Sequence, residues 1–277
     1  MIVDSHQHFW NFNWLPYSWP TKNEASIFRT IEAPELESLL KEAGIDKTVI
    51  VQADDSYADT VYMLETAKRF DWVAGVVGWV PLDQPDEAKA KLAEYSKNPL
   101  FKGVRPLIHT YDDPDWIVQD QVIEGLKILA SFDLTFDLVA IFPNHLKHAT
   151  TIAEKVPNLK MVIDHLAKPP IKDKAIEPWA EQIRKAASYP NVYAKISGLN
   201  TAADPETWSG SDFKPYIDEA IRCFGAERLM FGSDWPVANL AGDYLKVWTE
   251  TNKALDGKTQ EQVKAILGET AIKFYNL

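Results

Sequence analysis

The sequence predicts an α/β fold: a (β/α)8 TIM barrel, one domain over residues 1–277, ending in an extra C-terminal helix. Three observations predict it. Eight short runs of near-continuous apolar, β-branched character recur along the chain, as strands buried on both faces do. Helical periodicity fills the gaps, and successive runs start 25 to 45 residues apart, the span of a βα unit with its loops. No composition break, repeat or low-complexity segment divides the chain. No run is followed by the GxGxxG or GxxxxGKS/T signature of an open nucleotide-binding sheet.

In order, the strand runs are residues 2–5, 47–53, 72–80, 101–108, 134–140, 159–166, 191–198 and 228–233. The helix at 34–43 has Pro34 near its start and Leu36, Leu39 and Leu40 at helical spacing. Gly44 lies just past its end, where a left-handed residue stops a helix. The helix at 57–70 places Tyr57, Val61, Leu64 and Ala67 on one face, and residues 86–95, 116–130, 145–155, 177–187 and 212–224 follow the same period. A last helix at 260–275 opens on Thr259 with Gln262 three residues on, a capping box, and Gly268 interrupts it or splits it in two.

Composition narrows the function classes. The chain has 29 basic and 40 acidic residues, a net charge of −11, and no Lys/Arg run. Such a surface repels nucleic acid and anionic lipid, so neither is an expected partner; the partner calls are a small-molecule substrate, on the strand-end residues below, with a homo-oligomer left open. The longest apolar stretches, such as residues 73–80, fall far short of the ~20 residues of a membrane helix. Met1-Ile2-Val3-Asp4-Ser5-His6 shows no signal-peptide pattern. A single cysteine, Cys223, allows no internal disulfide, iron–sulfur cluster or CxxC pair. A soluble protein of a reducing compartment, hence cytoplasmic, is expected.

In a barrel of this kind the chemistry sits at the C-terminal strand ends. The first run leads into His6-Gln7-His8, and histidines two apart on a strand point to the same side. Two imidazoles aimed into the mouth make a metal-ligand or polarising pair; otherwise they are surface histidines at a strand exit. The sixth run ends in Asp164-His165 with Lys168 beyond, which reads equally as a local salt bridge. The eighth ends in Gly232-Ser233-Asp234-Trp235-Pro236, where Asp234 is placed as general base or ligand. The competing reading, a helix N-cap, suits a Pro-containing stretch poorly. Gln52, Arg105, Lys195 and Ser197 close the second, fourth and seventh runs. Arg105 either holds a substrate oxygen or pairs with Asp137 across the barrel. His145 and His148 read as neighbours on a packed helix, His109 stays open, and Cys223 reads as packed rather than nucleophilic.

Taken together, Asp4-x-His6-x-His8, Asp164-His165-x-x-Lys168-Pro169 and Gly232-Ser233-Asp234-Trp235-Pro236 resemble the amidohydrolase superfamily. The final Leu267-Gly268-Glu269-Thr270-Ala271-Ile272-Lys273-Phe274-Tyr275 is similar to its usual last helix. Val51-Gln52-Ala53, Gly103-Val104-Arg105 and Lys195-Ile196-Ser197-Gly198-Leu199 fit its sugar-lactonase-like branch, which includes fuconolactonases, rhamnonolactonases and pyrone-dicarboxylate lactonases. The resemblance spans the whole chain. It implies a barrel and hydrolysis of a lactone. The sequence departs from the superfamily's binuclear pattern: the fourth run carries Arg105 in place of a bridging lysine or glutamate, and the fifth has no histidine. At most one divalent metal, zinc by preference, or none is therefore expected.

On this reading Asp234 deprotonates the attacking water and returns the proton to the leaving alkoxide. His6, His8 and His165 either hold the metal together with Asp234 or donate to the developing oxyanion. Arg105, Trp10, Gln52, Lys168, Lys195 and Trp235 are expected to bind substrate. Of six arginines only Arg29 and Arg105 can face the mouth, which argues against a polyanionic substrate. The loop after the first run carries Phe9, Trp10, Phe12, Trp14, Tyr17, Trp19 and Phe28, whose flat faces either suit a neutral sugar lactone or pack the loop. Alternatives are a metal-dependent decarboxylase, which lacks its strand-5 histidine here, hydrolysis of another ester or an amide, and a non-catalytic binding protein.

Overall fold

The computed structural model describes residues 1–277. Eight strands, β1 Val3–Gln7, β2 Lys47–Val51, β3 Val73–Gly78, β4 Phe101–Val104, β5 Thr135–Leu138, β6 Met161–Ile163, β7 Val192–Ile196 and β8 Leu229–Phe231, lie in sequence order in one sheet. Each successive pair is parallel. The seam between β8 and β1 is closed by the residues just beyond β8. Asp234 N donates to His6 O at 2.8 Å and His8 N to Trp235 O at 2.7 Å. Ser5 Oγ adds a bond to Phe231 O at 2.6 Å. This is a (β/α)8 barrel, as the sequence predicts.

The strands are mostly shorter than the apolar runs, for local reasons. β4 stops at Val104 because Pro106 has no N–H to offer the ladder. β6 stops at Ile163 because the chain enters a tight turn with His165, Leu166, Ala167 and Lys168 all at positive φ. β1 instead runs past the expected end, through His6 to Gln7, and its register breaks between Asp4 and Gln7. Strict alternation would group Val3 with Ser5 and Gln7. The break resets the phase, so Val3 packs inside the lower barrel while His6 and His8 point to the mouth.

Outer helices cover the sheet: α1 Ala33–Ala43, α2 Tyr57–Arg69, α3 Pro85–Tyr95, α4 Asp120–Ser131, α5 His148–Lys155, α6 Trp179–Ala187, α7 Gly210–Phe224 and α8 Tyr244–Ala254. Gly44 ends α1 at φ 72°, as its position predicts. The run expected at 116–130 breaks into a 3-10 turn, Trp116–Val118, and α4, because Gln119 is extended. The sequence reading passed over α8, although Asp243 caps it by accepting from Lys246 N at 2.8 Å. The C-terminal helix divides into α9 Gln260–Lys264, a π-turn Ala265–Glu269 and α10 Thr270–Tyr275. Thr259 and Gln262 form the expected capping box. Gly268 sits in the π-turn, where a Cβ would stand 2.2 Å from Met1 O, so only glycine lets the helix approach the first strand.

α10 plugs the lower end of the barrel. Ala271, Phe274 and Tyr275 pack against Val3, Val49, Val51, Val77, Val162 and Met230. Burying one phenylalanine ring stabilises the fold by roughly 1.5–3 kcal/mol. No helix is long and apolar enough to cross a membrane.

Candidate active site

The mouth gathers His6 from β1, His8 from the residue just past it, His165 from the turn after β6, and Asp234 from the turn after β8. His6 Nε2 lies 3.1 Å from His8 Nε2 and 3.7 Å from Asp234 Oδ1; His8 Nε2 lies 3.4 Å from the same oxygen. His165 Nε2 is 3.9 Å from Asp234 Oδ1, and its Nδ1 lies 2.8 Å from Ser197 Oγ. All four side chains are buried. Asp234 has φ 59°, a left-handed backbone that costs a non-glycine residue about 1–3 kcal/mol and recurs where function fixes a side chain.

The second ring nitrogen of His8 sets its tautomer. Nδ1 lies 2.7 Å from Val51 O, a carbonyl that can only accept, so Nδ1 carries the proton. Burial pushes the His8 pKa down, leaving the ring neutral with the Nε2 lone pair facing His6 and Asp234. His8 therefore serves as a ligand or acceptor, not as an oxyanion donor. Burial also holds His6 well below the ordinary histidine range and pushes His165 down to about 3. For Asp234, burial acts upward. The Lys168 ammonium, with Nζ 3.7 Å from Oδ2, opposes it, and the carboxyl is held below its ordinary range.

The His6 Nε2, His8 Nε2 and Asp234 Oδ1 triangle can be tested against a metal. Tetrahedral ligands at zinc bond lengths of about 2.0–2.2 Å stand about 3.3–3.5 Å from one another. The observed edges of 3.1, 3.4 and 3.7 Å, and a donor set of two imidazoles and a carboxylate, fit one divalent ion. A second triad, His6, Asp164 and His165, is also close enough. Its carboxylate is already neutralised: Asp164 Oδ1 is 3.0 Å from Lys195 Nζ and Oδ2 is 3.3 Å from Arg105 Nη1. Two fixed cations there disfavour a second metal.

The expected substrate-binding residues divide. Lys168 reaches the site, anchored to Gly198 O at 2.8 Å and Thr201 Oγ1 at 2.6 Å. Arg105 pairs with Asp164 rather than with Asp137, and its Nη2 donates to Gln52 O at 2.5 Å, while Nε has no partner. The Gln52 amide nitrogen donates to Arg105 O and Asp55 Oδ1, at 2.5 and 2.8 Å. Trp235 lies beside the site in the seam, edge-on to Phe9. Lys195 and Trp10 are fully enclosed. Lys195 sits beneath His6, and Trp10 donates to Arg29 O at 2.8 Å.

The aromatic loop is packed down in part, with Phe28 left 40% exposed. Phe9, Trp10 and Tyr17 are buried, and the Tyr17 hydroxyl donates to Asp59 at 2.7 Å. Trp14 is 50% exposed but is tied to Ala58 O at 3.0 Å. Arg29 makes a bidentate pair with Glu35 at 2.9 and 2.7 Å instead of facing the mouth. His148 bonds Pro114 O and lies 3.0 Å from Asp115, and burial pushes the Cys223 thiol up to about 11, so both are structural. The sequence reading overlooked Gly198 as a site residue. At φ 56° it lies against Asp234, where a Cβ would stand 2.5 Å from Oδ2 and 2.8 Å from His165 Nδ1.

The amidohydrolase family model matches residues 3–277. The chain belongs to the amidohydrolase family. Among amidohydrolases, it is 40% identical over 243 residues to the L-fucono-1,5-lactonase of Burkholderia ambifaria, covering 87% of this chain and 82% of that one. It is 30% identical to the L-fucono-1,5-lactonase of Burkholderia multivorans, over 99% and 96% of the two chains. A crystal structure of a Burkholderia multivorans amidohydrolase with bound zinc superposes with a TM-score of 0.93 at 29% identity, covering 100% of this chain and 99% of that one.

Proposed function

We propose that this amidohydrolase hydrolyses a neutral sugar lactone, with L-fucono-1,5-lactone and related aldonolactones as first candidates. The observation that carries the reading is the Asp234 carboxylate set within 4 Å of His6, His8, His165 and Lys168 at the barrel mouth. The two L-fucono-1,5-lactonase relatives support the substrate class. So does the state of the arginines. Arg29 is spent on Glu35 and Arg105 on Asp164 and Gln52, so no free guanidinium fork waits for a substrate carboxylate.

In this mechanism Asp234 takes a proton from water attacking the lactone carbonyl and gives it to the ring oxygen as the C–O bond breaks. Lys168 holds the Asp234 carboxylate in place and keeps it ionised. Arg105 stays in the buried layer beneath the site, paired with Asp164 and Gln52 O. When a divalent ion is bound, His6, His8 and Asp234 hold it, and it supplies Lewis-acid polarisation of the carbonyl.

A panel of aldonolactones read by proton release, with and without chelator, tests the proposal. Turnover of at least one neutral sugar lactone is expected. Inactivity on every lactone combined with CO₂ release from a carboxylated substrate would replace this reading with a decarboxylase.

A further inference from the structure

The plug at the lower end of the barrel carries more chemistry than sealing requires. Phe274 and Tyr275 both fill apolar space among the strand valines. Filling it takes two rings and no hydroxyl, yet the Tyr275 hydroxyl donates to Asp137 Oδ2 at 2.8 Å in a fully buried setting. Phenylalanine would fill the same space with no polar group to satisfy.

The partner it chooses leads upward to the site. Asp137 Oδ2 also accepts from Lys195 Nζ at 2.5 Å, while Asp137 Oδ1 has no partner. The orientation of this carboxylate thus rests on two donors to one oxygen. An ammonium has three N–H donors. Lys195 faces two carboxylate oxygens, Asp137 Oδ2 at 2.5 Å and Asp164 Oδ1 at 3.0 Å, and its Nζ stands 3.0 Å from His6 Nδ1, which accepts from it when no metal draws on Nε2 and turns its proton to Asp164 when one does. The formal charges of Asp137, Asp164, Lys195 and Arg105 cancel, so this enclosed layer is neutral and fixed directly beneath His6. The lower nitrogen of His6 meets Lys195 and Asp164, the latter at 3.3 Å.

We propose that Tyr275, at the closed end of the barrel, is a positioning residue for His6, acting through Asp137 and Lys195. The C-terminal helix then serves catalysis as well as packing: its hydroxyl holds Asp137, Asp137 holds the Lys195 ammonium, and Lys195 aims the His6 ring. The inference rests on His6 belonging to the working site proposed above.

Tyr275→Phe tests it, because the variant keeps the ring, the plug and the ring's place 5.6 Å from Lys195 Nζ. Loss of a supporting hydrogen bond beneath a site residue typically costs 10–100-fold. Turnover on the best lactone should fall about tenfold with KM within about twofold. In ¹⁵N–¹H spectra the His6 ring signals should shift while those of His148 stay in place. Phe274→Leu disturbs the same plug without touching the polar layer; it should lower Tm yet leave kcat and the His6 signals unchanged. A Tyr275→Phe enzyme with wild-type kcat or unmoved His6 signals would overturn the proposal, as would Phe274→Leu producing the same effects. If the wild type turns over no lactone, the functional reading fails, and the His6 signals alone still decide this one.

Discussion

Gly198 lies against the carboxylate of Asp234 so closely that a single added methyl would stand 2.5 Å from Oδ2. The same methyl would meet Lys168 Nζ at 2.9 Å, so three site groups converge on a space that only glycine leaves open. Its φ of 56° adds a second reason for glycine.

Gly198→Ala should therefore fold, with some loss of Tm, and lose activity by about 10²-fold or more, since a displacement on the order of 1 Å at a reacting group has that effect. Steady-state kinetics beside circular dichroism would check it. A folded variant with near-normal turnover would mean that Asp234 has no fixed position to lose.

Metal content should reach one equivalent and no more. His6, His8 and Asp234 present a triangle that fits one ion, while Asp164 is held by Lys195 and Arg105. Elemental analysis after loading with zinc should give about one ion per chain, by the three-ligand logic of such sites, and His8→Ala should abolish it. Two equivalents would show that Asp164 can exchange its cations for a metal.

The acid limb of the pH–rate profile should not come from Asp234. Its carboxyl is held below the ordinary range, and His165, at about 3, is neutral well into acid. Asp4 is different: burial pushes it up to about 6, and its Oδ1 accepts from Ser233 N at 2.8 Å, one residue before Asp234. Burial pushes Asp137 up to about 6 as well, so a fall in kcat near pH 6 that disappears in Asp4→Asn, which keeps that acceptor, comes from Asp4 rather than from Asp137. Persistence of the limb in the variant would return the titration to Asp137 or to the site itself.

Asp59 gives a stability prediction. Burial pushes its carboxyl up to about 7, despite donations from Ala53 N, Tyr17 and Asp54 N. A folded-state pKa above the unfolded value near 3.9 means that the folded protein binds the proton more tightly. That contribution is complete below pH ~4 and is lost as pH rises through about 7. The Tm of Asp59→Asn relative to wild type should thus be higher at pH 8 than at pH 5. Equal differences at both pH values would contradict it.

Much of this arrangement was legible in the sequence because the barrel repeats one simple pattern. Buried parallel strands read as apolar runs, and their ends mark the catalytic face, so His6, His8, His165 and Asp234 could be placed together before any coordinates. What escaped notice depends on contacts far apart in the chain. Nothing near Lys195 announces that Asp137 and Asp164 enclose it, and nothing near Arg105 favours Asp164 over Asp137. The aromatic loop left two readings open because exposure of a ring is decided by what packs on it: Trp10, expected at the substrate, meets Arg29, and Tyr17 meets Asp59. The capped helix Tyr244–Ala254 was readable from Asp243 alone, whereas the register break in β1 exists only in the pairing with β2.

The central claim is that Asp234 is the base that activates water on a lactone. Asp234→Asn keeps the shape and removes the proton acceptor, so its kcat on the best aldonolactone decides the matter. Loss of a general base costs about 10²–10⁴-fold, and any added role as metal ligand deepens the loss. A drop of that size is expected with KM changed far less, since Lys168 remains. Near-wild-type turnover by Asp234→Asn would contradict it and move the base to one of the histidines.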